Sequence, residues 1–239
     1  MITVVATGSS GNSYIIQARE EILLLECGIR YDSILKGLNY KLDNVKGCII
    51  SHVHRDHAMS AKKLAESGIK IYGPAELIEK LQSKGVYKRR TDIVGDKETF
   101  KIGGFIIKAF KNYHRNSDGS ECECLGYLIH HKEIGTILFA TDTYLIKPVF
   151  KDVDHILVEC NYNSELEEEG REEHDTRRLE SHMSLANLKT FIVRWNLERT
   201  KSITLIHLSA SRANEDTMRT EIEELTGKKV FIAKKGLVI

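Results

Sequence analysis

The sequence predicts an α/β protein in which two mixed β-sheets pack face to face with helices outside. Three observations lead there. Strand-length apolar runs are too numerous for one sheet, and helical patterns alternate with them through the middle and last third. The chain has 239 residues with 35 Lys and Arg against 34 Asp and Glu, the size and balance of one folded domain, residues 1–239.

Each element follows from local pattern. Residues 1–6, 13–18 and 22–27 read as three short strands, the first two joined by GSSGN (residues 8–12), whose Gly and Ser content suits a tight connection. Then come a helix at 31–38, a buried strand at 47–51, a helix at 58–67, a strand at 69–73, and a helix opening at Pro74, where proline suits a first turn. Strands return at 98–102, 105–110, 125–130, 134–140 and 156–159. The last third gives a helix at 184–196, a strand at 202–206, a helix at 214–225 and a strand at 229–233. The acidic stretch 165–173, followed by Arg177 and Arg178, reads as a solvated helix face or loop.

Composition excludes several classes. With 2 Pro and 17 Gly there is no Pro-rich linker and no collagen-like or disordered bias. The longest apolar runs, such as residues 22–25 and 48–50, fall far short of the roughly 18 residues a membrane helix needs, so no membrane partner is expected. The opening MITVVATGSSGNS goes straight into a strand pattern, without the segments of a signal peptide, and cytoplasm is expected. Five scattered cysteines fit reduced thiols better than a disulfide framework. A net charge of +1 announces no partner, so a nucleic-acid enzyme would have to arrange its positive charge locally.

The most informative residues are SHVHRDH, residues 51–57, placed where the apolar strand CIIS ends and the next helix begins. His52 and His54 lie two apart, so an extended segment turns both rings the same way and can chelate one ion. Asp56 and His57 fall at the helix start, aimed at a neighbouring position. Imidazole and carboxylate suit Zn²⁺ or Mn²⁺. Four groups under-ligate a pair of ions, which predicts further donors at later strand ends. His114 follows the strand FIIKAF and opens a polar loop, Asp142 follows TILFA, and His207 ends ITLI. The simplest assignment puts His52, His54 and His114 on one divalent metal ion and Asp56, His57 and His207 on a second, with Asp142 bridging. Two such ions hold a hydroxide at neutral pH and clamp the oxygens of an in-line displacement, so the expected chemistry is hydrolysis.

Other residues carry two readings. His182 heads an amphipathic helix; it is either a helix-capping neighbour or a catalytic proton donor to a leaving group or phosphoryl oxygen. Asp56 is a candidate catalytic residue as well as a ligand. His130, His131, His155 and His174 have no partner pattern and are expected in surface or core packing. Cys122 and Cys124 form either a reduced pair on a loop or a thiolate or redox element near His114.

In GSSGNS, LLLECG, SHVHRDH, His114, ATDT and IHLS, taken in this order, the chain resembles the metallo-β-lactamase superfamily over nearly its whole length, and within it most the YycJ/WalJ-type nuclease branch. The resemblance to that branch lies in the N-terminal GSSGNS, His114 followed by Gly126 and Tyr127, and two elements of His-Leu-Ser type, here His182-Met183-Ser184 and His207-Leu208-Ser209. It implies an αββα sandwich with a dinuclear site along one edge of the paired sheets. Departures are Glu26, where an Asp supporting the ligands is usual, and Leu185, where Asn is expected after Ser184. A histidine at 57 argues against the commonest penicillin-opening subclass, which has Cys there, and His54 against the oxygen-reducing di-iron members, which have Glu. The stretch from Asp142 to His182 is too short for the inserted domain of the larger RNA-cleaving members.

The implied function is a dinuclear phosphodiesterase acting on nucleic acid, DNA in particular, as an exonuclease-like enzyme. Ser9, Ser10, Asn12, Ser209 and Asn214 are the candidate substrate contacts, and KRR (residues 88–90) and the pairs 228–229 and 234–235 are candidate backbone-tracking cations. The alternative is a small-molecule metallohydrolase acting on a cyclic phosphodiester, thioester or lactone. Oligomeric state leaves no trace in the sequence.

Overall fold

In the third strand, β3 (Glu21–Leu25), Leu23 and Leu25 face one way and Ile22 and Leu24 the other, and all four are buried. A strand without a polar face must be covered on both sides, and this one is sandwiched between a second sheet and a layer of helices. The coordinates are a computed structural model that describes residues 1–116, 118–163 and 181–239, so the acidic stretch at 165–173, Arg177, Arg178 and His174 lie outside the described residues.

The first sheet runs in sequence order through β1 (Ile2–Ala6), β2 (Ser13–Ala18), β3, β4 (Val45–Ile49), β5 (Ile71–Gly73) and β6 (Thr91–Ile93). Its pairs are antiparallel up to β3 and parallel beyond. The second sheet runs through β7 (Thr99–Ile102), β8 (Phe105–Arg115), β9 (Glu121–His131), β10 (Gly135–Ala140), β11 (His155–Glu159), β12 (Ser202–Ile206) and β13 (Val230–Ile232). It too is antiparallel first, through β10, and parallel after. The C-terminal residues lie along the free edge of β1, with Ile2 and Ile239 exchanging backbone hydrogen bonds.

Between the sheets sits the central core of Tyr14, Leu23, Phe105, Tyr127, Phe139 and Leu157, among others. Burial of each such side chain contributes roughly 1.5–3 kcal/mol. The outer face of the first sheet is covered by α1 (Tyr31–Gly37), α3 (Ala61–Glu66) and α4 (Ala75–Ser83), that of the second by α5 (Leu185–Ile192) and α6 (Glu215–Thr226). The layers are therefore αββα. No helix among the described residues is long and apolar enough to cross a membrane.

Three sequence expectations are corrected, and one candidate substrate contact is found at a helix end. The helix expected at 58–67 is two pieces, α2 (Arg55–Ala58) and α3, because α2 starts inside the histidine motif. The strand β6 was not anticipated, since only three residues of it pair. The hairpin β8–β9 runs on as far as Arg115 and back from Glu121, so His114, Cys122 and Cys124 sit in paired strands rather than in a loop. Asn214 is the N-cap of α6, its side-chain oxygen accepting from the Thr217 amide, a role worth about 1 kcal/mol.

Candidate metal centre

Parallel strands deliver their C-terminal ends to one edge, and the site is built there. Glu26 follows β3, the motif Ser51 to His57 follows β4, and Asp142 and His207 follow β10 and β12, while Glu159 ends β11. The antiparallel step through β9 points β8 the same way as β10, which brings His114 to the same edge. Three of these strand-end residues, Glu26, Asp142 and His207, have positive φ of 60°, 47° and 55°. Such backbone costs free energy for residues other than glycine and persists only where surrounding contacts hold it. Gly28 lets the motif close on β3: a Cβ there would lie 1.6 Å from the Asp56 carbonyl oxygen. The Asn12 and Cys27 amides donate to the Asp56 and His57 carbonyls, both at 2.8 Å, lacing the first loop and the β3 end to α2.

The donors fall into two groups. His52 Nε2 lies 2.9 Å from His54 Nδ1, which lies 3.3 Å from His114 Nε2. In the other group, His57 Nε2 is 3.2 Å from Asp142 Oδ1 and 3.3 Å from Asp56 Oδ2, and His207 Nε2 is 3.6 Å and 3.7 Å from the same two oxygens. Asp142 Oδ2 faces the first group, 4.0 Å from His52 Nε2 and 3.8 Å from His114 Nε2. Ligands at about 2.05 Å around a tetrahedral ion are roughly 3.3 Å apart, so both spacings fit a divalent cation. All seven predicted donors are thus brought together in the grouping read from the sequence.

Four of the five imidazoles are hydrogen-bonded through their other nitrogen, the arrangement that fixes ring orientation at metal sites, and His57 has only a nearby carboxylate. Ser51 Oγ holds His52 Nδ1 at 2.8 Å, Asn116 Oδ1 accepts from His54 Nε2 at 2.8 Å, and the Ser181 carbonyl accepts from His114 Nδ1 at 2.9 Å. Glu26 Oε2 stands 3.5 Å from His57 Nδ1, and Glu159 Oε1 is 3.2 Å from His207 Nδ1. The longer carboxylate at position 26 stands in ion-pair range of His57 without a hydrogen bond to it, while its other oxygen accepts from the Ser51 amide at 3.0 Å. His207 Nε2 is buried with no hydrogen-bond partner, which is costly unless a cation takes it up.

The two groups differ electrically. Burial, with the neighbouring imidazoles, holds the His52 pKa well below its ordinary value and lowers that of His114. Burial opposes protonation of His57 and His207 too, but carboxylates outweigh it. Asp142, Glu26 and Asp56 hold His57 well above its usual range, and Asp142, Asp56 and Glu159 push His207 up to about 10. Burial likewise works against ionisation of Asp142 and Asp56, yet the histidines keep both carboxyls low.

Sequence reasoning missed Glu159, the buried end of the strand HILVE. Its Oε1 accepts from His182 Nδ1 at 2.6 Å as well as from His207, and its Oε2 accepts from the Thr143 amide at 2.8 Å. The available signal was a carboxylate closing an apolar strand, the same signal that marked Asp142. His182 stacks on His207 with ring centroids 5.3 Å apart.

A cleft of about 410 Å³ opens over the centre, lined by His54, Asp56, His114, His182 and His207 together with Ser9, Arg115 and Asn116. Of the predicted substrate contacts only Ser9 reaches it. Ser10 points to solvent, Ser209 is not part of the lining, and Asn12 is buried, bonded to the Gly8 backbone and to His57 Nε2 at 3.2 Å. The candidate cation runs are largely engaged elsewhere: Arg90 donates to the Gly68 carbonyl, Lys228 to the Glu198 carbonyl, and Lys234 pairs with Glu215. His130, His131 and His155 pair with Thr136, Glu21 and Ser202, the packing roles expected of them. Cys122 and Cys124 are buried, which pushes the Cys122 thiol up to about 12 and raises Cys124 well above its ordinary value, so burial favours the thiol over the thiolate in both.

With this geometry in place, three likenesses to known proteins are informative. A family described as "Beta-lactamase superfamily domain" matches residues 32–208. The exodeoxyribonuclease WalJ of Streptococcus pneumoniae is 25% identical over 221 residues, 87% of this chain and 81% of its own. The exodeoxyribonuclease YycJ of Bacillus anthracis is 22% identical over 252 residues, 96% of this chain and 90% of its own. Among solved structures, the metallo-beta-lactamase fold protein YhfI of Bacillus subtilis superimposes with a TM-score of 0.73 at 21% identity, covering 99% of this chain and 97% of that one.

Proposed function

The chain belongs to the beta-lactamase superfamily, here as a metal-dependent hydrolase, and on that premise we propose that it is a dinuclear phosphodiesterase that degrades nucleic acid, DNA first, from a strand end. The observation that carries this reading is Asp142, whose two oxygens face two separate donor groups. Two divalent ions, Zn²⁺ or Mn²⁺, would be held by His52, His54 and His114 on one side and Asp56, His57 and His207 on the other, with Asp142 shared. When bound, such ions supply Lewis-acid polarisation of phosphoryl oxygens and a nucleophile at neutral pH.

The remaining work falls to side chains. His182 donates through Nδ1 to Glu159, so Nε2 is left for the cleft, placed to protonate a departing oxygen. Glu159 fixes the orientation of the ring from the far side. Asp56, with 28% of its side chain exposed, reaches the cleft and can accept a proton from the attacking water. Ser9 and Arg115 line the same cleft and suit phosphate oxygens. The relatives' exodeoxyribonuclease names favour DNA. Five buried, unpaired cysteines fit work in a reducing compartment such as cytoplasm.

The test is to incubate Mn²⁺-loaded protein with end-labelled single- and double-stranded DNA and RNA, beside bis(p-nitrophenyl) phosphate, after metal analysis. The expected result is about two ions per chain and stepwise shortening of DNA. Hydrolysis of the small reporter with no nucleic acid cleaved would instead make the chain a small-molecule metallohydrolase.

A further inference from the structure

A second cavity, of about 320 Å³, lies on the opposite side of α2 from the metal centre. The four-residue helix serves both. His54 and Asp56 line the catalytic cleft, whereas Val53, Arg55 and Ala58 line the second cavity. Met59 is its exposed apolar element, 36% accessible, and α4 supplies the facing wall with Leu77 and Leu81. Three cations ring the mouth: Arg55 from α2, Lys80 from α4, and Lys84 just beyond it. All three are exposed, and none makes a side-chain hydrogen bond or ion pair with the described residues. Among the described residues no carboxylate lines the cavity.

Unpaired cations around an apolar floor match one chemistry well: a nucleobase against the floor with phosphates on either side reaching the cations. The volume lies at the lower end of the roughly 300–1,000 Å³ of small-ligand pockets, the scale of a single nucleotide unit. A duplex keeps its bases stacked and inaccessible, so a single strand is required. Because one short helix separates this cavity from the metal centre, a strand with its scissile phosphate over His54 and Asp56 has only to cross α2 to reach it.

We propose that this cavity is a nucleotide subsite that holds the single nucleic-acid strand beyond the cleaved linkage, with Arg55, Lys80 and Lys84 on its phosphates. The proposal rests on the nuclease reading and gives it a substrate form: a single strand, or a duplex end that frays to enter.

The experiment measures binding of the metal-loaded protein to a fluorescein-labelled 12-nucleotide oligodeoxythymidylate whose phosphorothioate linkages resist cleavage. The titration is run over a range of salt, and melting temperature is measured for every variant. In the Lys80→Glu/Lys84→Glu variant we expect the Kd to rise at least about tenfold. The salt slope should fall by about 1.4, from two phosphate contacts at ~0.7 each. The Lys228→Glu/Lys229→Glu variant, with the same charge change on the other side of the sandwich, should bind nearly as the parent does. Equal loss in both variants, or parental binding in the first, overturns the subsite. So does a parent protein that fails to bind the strand at low salt. The two readings fail separately. Binding that depends on Lys80 and Lys84 without any DNA hydrolysis sinks the nuclease and keeps the subsite, whereas DNA hydrolysis with binding indifferent to them does the reverse.

Discussion

The two donor groups sit side by side yet are built on opposite electrostatic plans. The group of His52, His54 and His114 contains no carboxylate of its own, and burial keeps His52 and His114 neutral, with lone pairs ready for a cation. The group of His57 and His207 is crowded by Asp56, Asp142, Glu26 and Glu159, which hold protons on both imidazoles. A cation entering the first group displaces nothing, but one entering the second must displace protons. The second group compensates with negative charge, which makes its attraction for a divalent ion long-ranged. Asp142, belonging to both, couples the two.

The sharpest way to break this comparison is to remove what the groups share. Asp142→Ala should lower phosphodiester hydrolysis at least about 10³-fold, the scale of the several kcal/mol that metal ions contribute. It should also cut bound metal below about one ion per chain. Elemental analysis beside steady-state kinetics checks both, and a variant retaining two ions would show that the groups are independent.

A smaller effect is expected at Glu159, whose histidine partners are His207 of the second group and His182. Glu159→Gln keeps the shape but weakens the hold on His207 Nδ1 and His182 Nδ1, and a loss of about 10–100-fold is the usual scale for a carboxylate behind a metal-binding histidine. One ion should then be lost to a chelator far more readily than the other. If both leave together, Glu159 serves the whole centre and not one half of it.

The smallest effect separates the groups by pH in chelated protein. A histidine with raised pKa contributes stability that is complete below its unfolded value of about 6.5. For His207 this contribution is lost progressively as pH rises from there to about 10. Asp56, Asp142 and Glu159, whose pKa values are lowered, contribute above about pH 4 and lose that contribution on acidification. His52 and His114, which burial holds unprotonated, cost stability as pH falls below about 6.5, so urea midpoints should peak near pH 6.5, fall on acidification and decline toward 10. His207→Gln should flatten the alkaline side, whereas His52→Gln should leave it as it is. An alkaline limb that persists in His207→Gln would assign it to another group.

Much of the centre was legible because its donors are strand ends, and strand ends are visible as the points where an apolar run meets a polar residue. That signal found Asp142 and His207 and overlooked Glu159, which closes HILVE in the same manner but stands in no motif. His114 was found for its position after an apolar run, although the strand runs through it: β8 continues because the second sheet pairs it with β9, an interaction outside the range of local pattern. The loop residue Asn12 shows the converse limit. Polar side chains in a turn look available for substrate, yet Asn12 is spent on the Gly8 backbone and on His57.

The amino-acid order alone determined most element types, the two-sheet requirement and the seven candidate donors, because periodicity and residue chemistry are local properties. Tertiary structure decided which nitrogen of each imidazole faces inward and which carboxylate stands behind it. It also decided that Arg55, Lys80 and Lys84, unremarkable as single cations, come together around one cavity while the conspicuous basic runs do not. The reason is that orientation and charge proximity are set by segments far apart in the chain meeting across packed layers, and no local pattern encodes those distances.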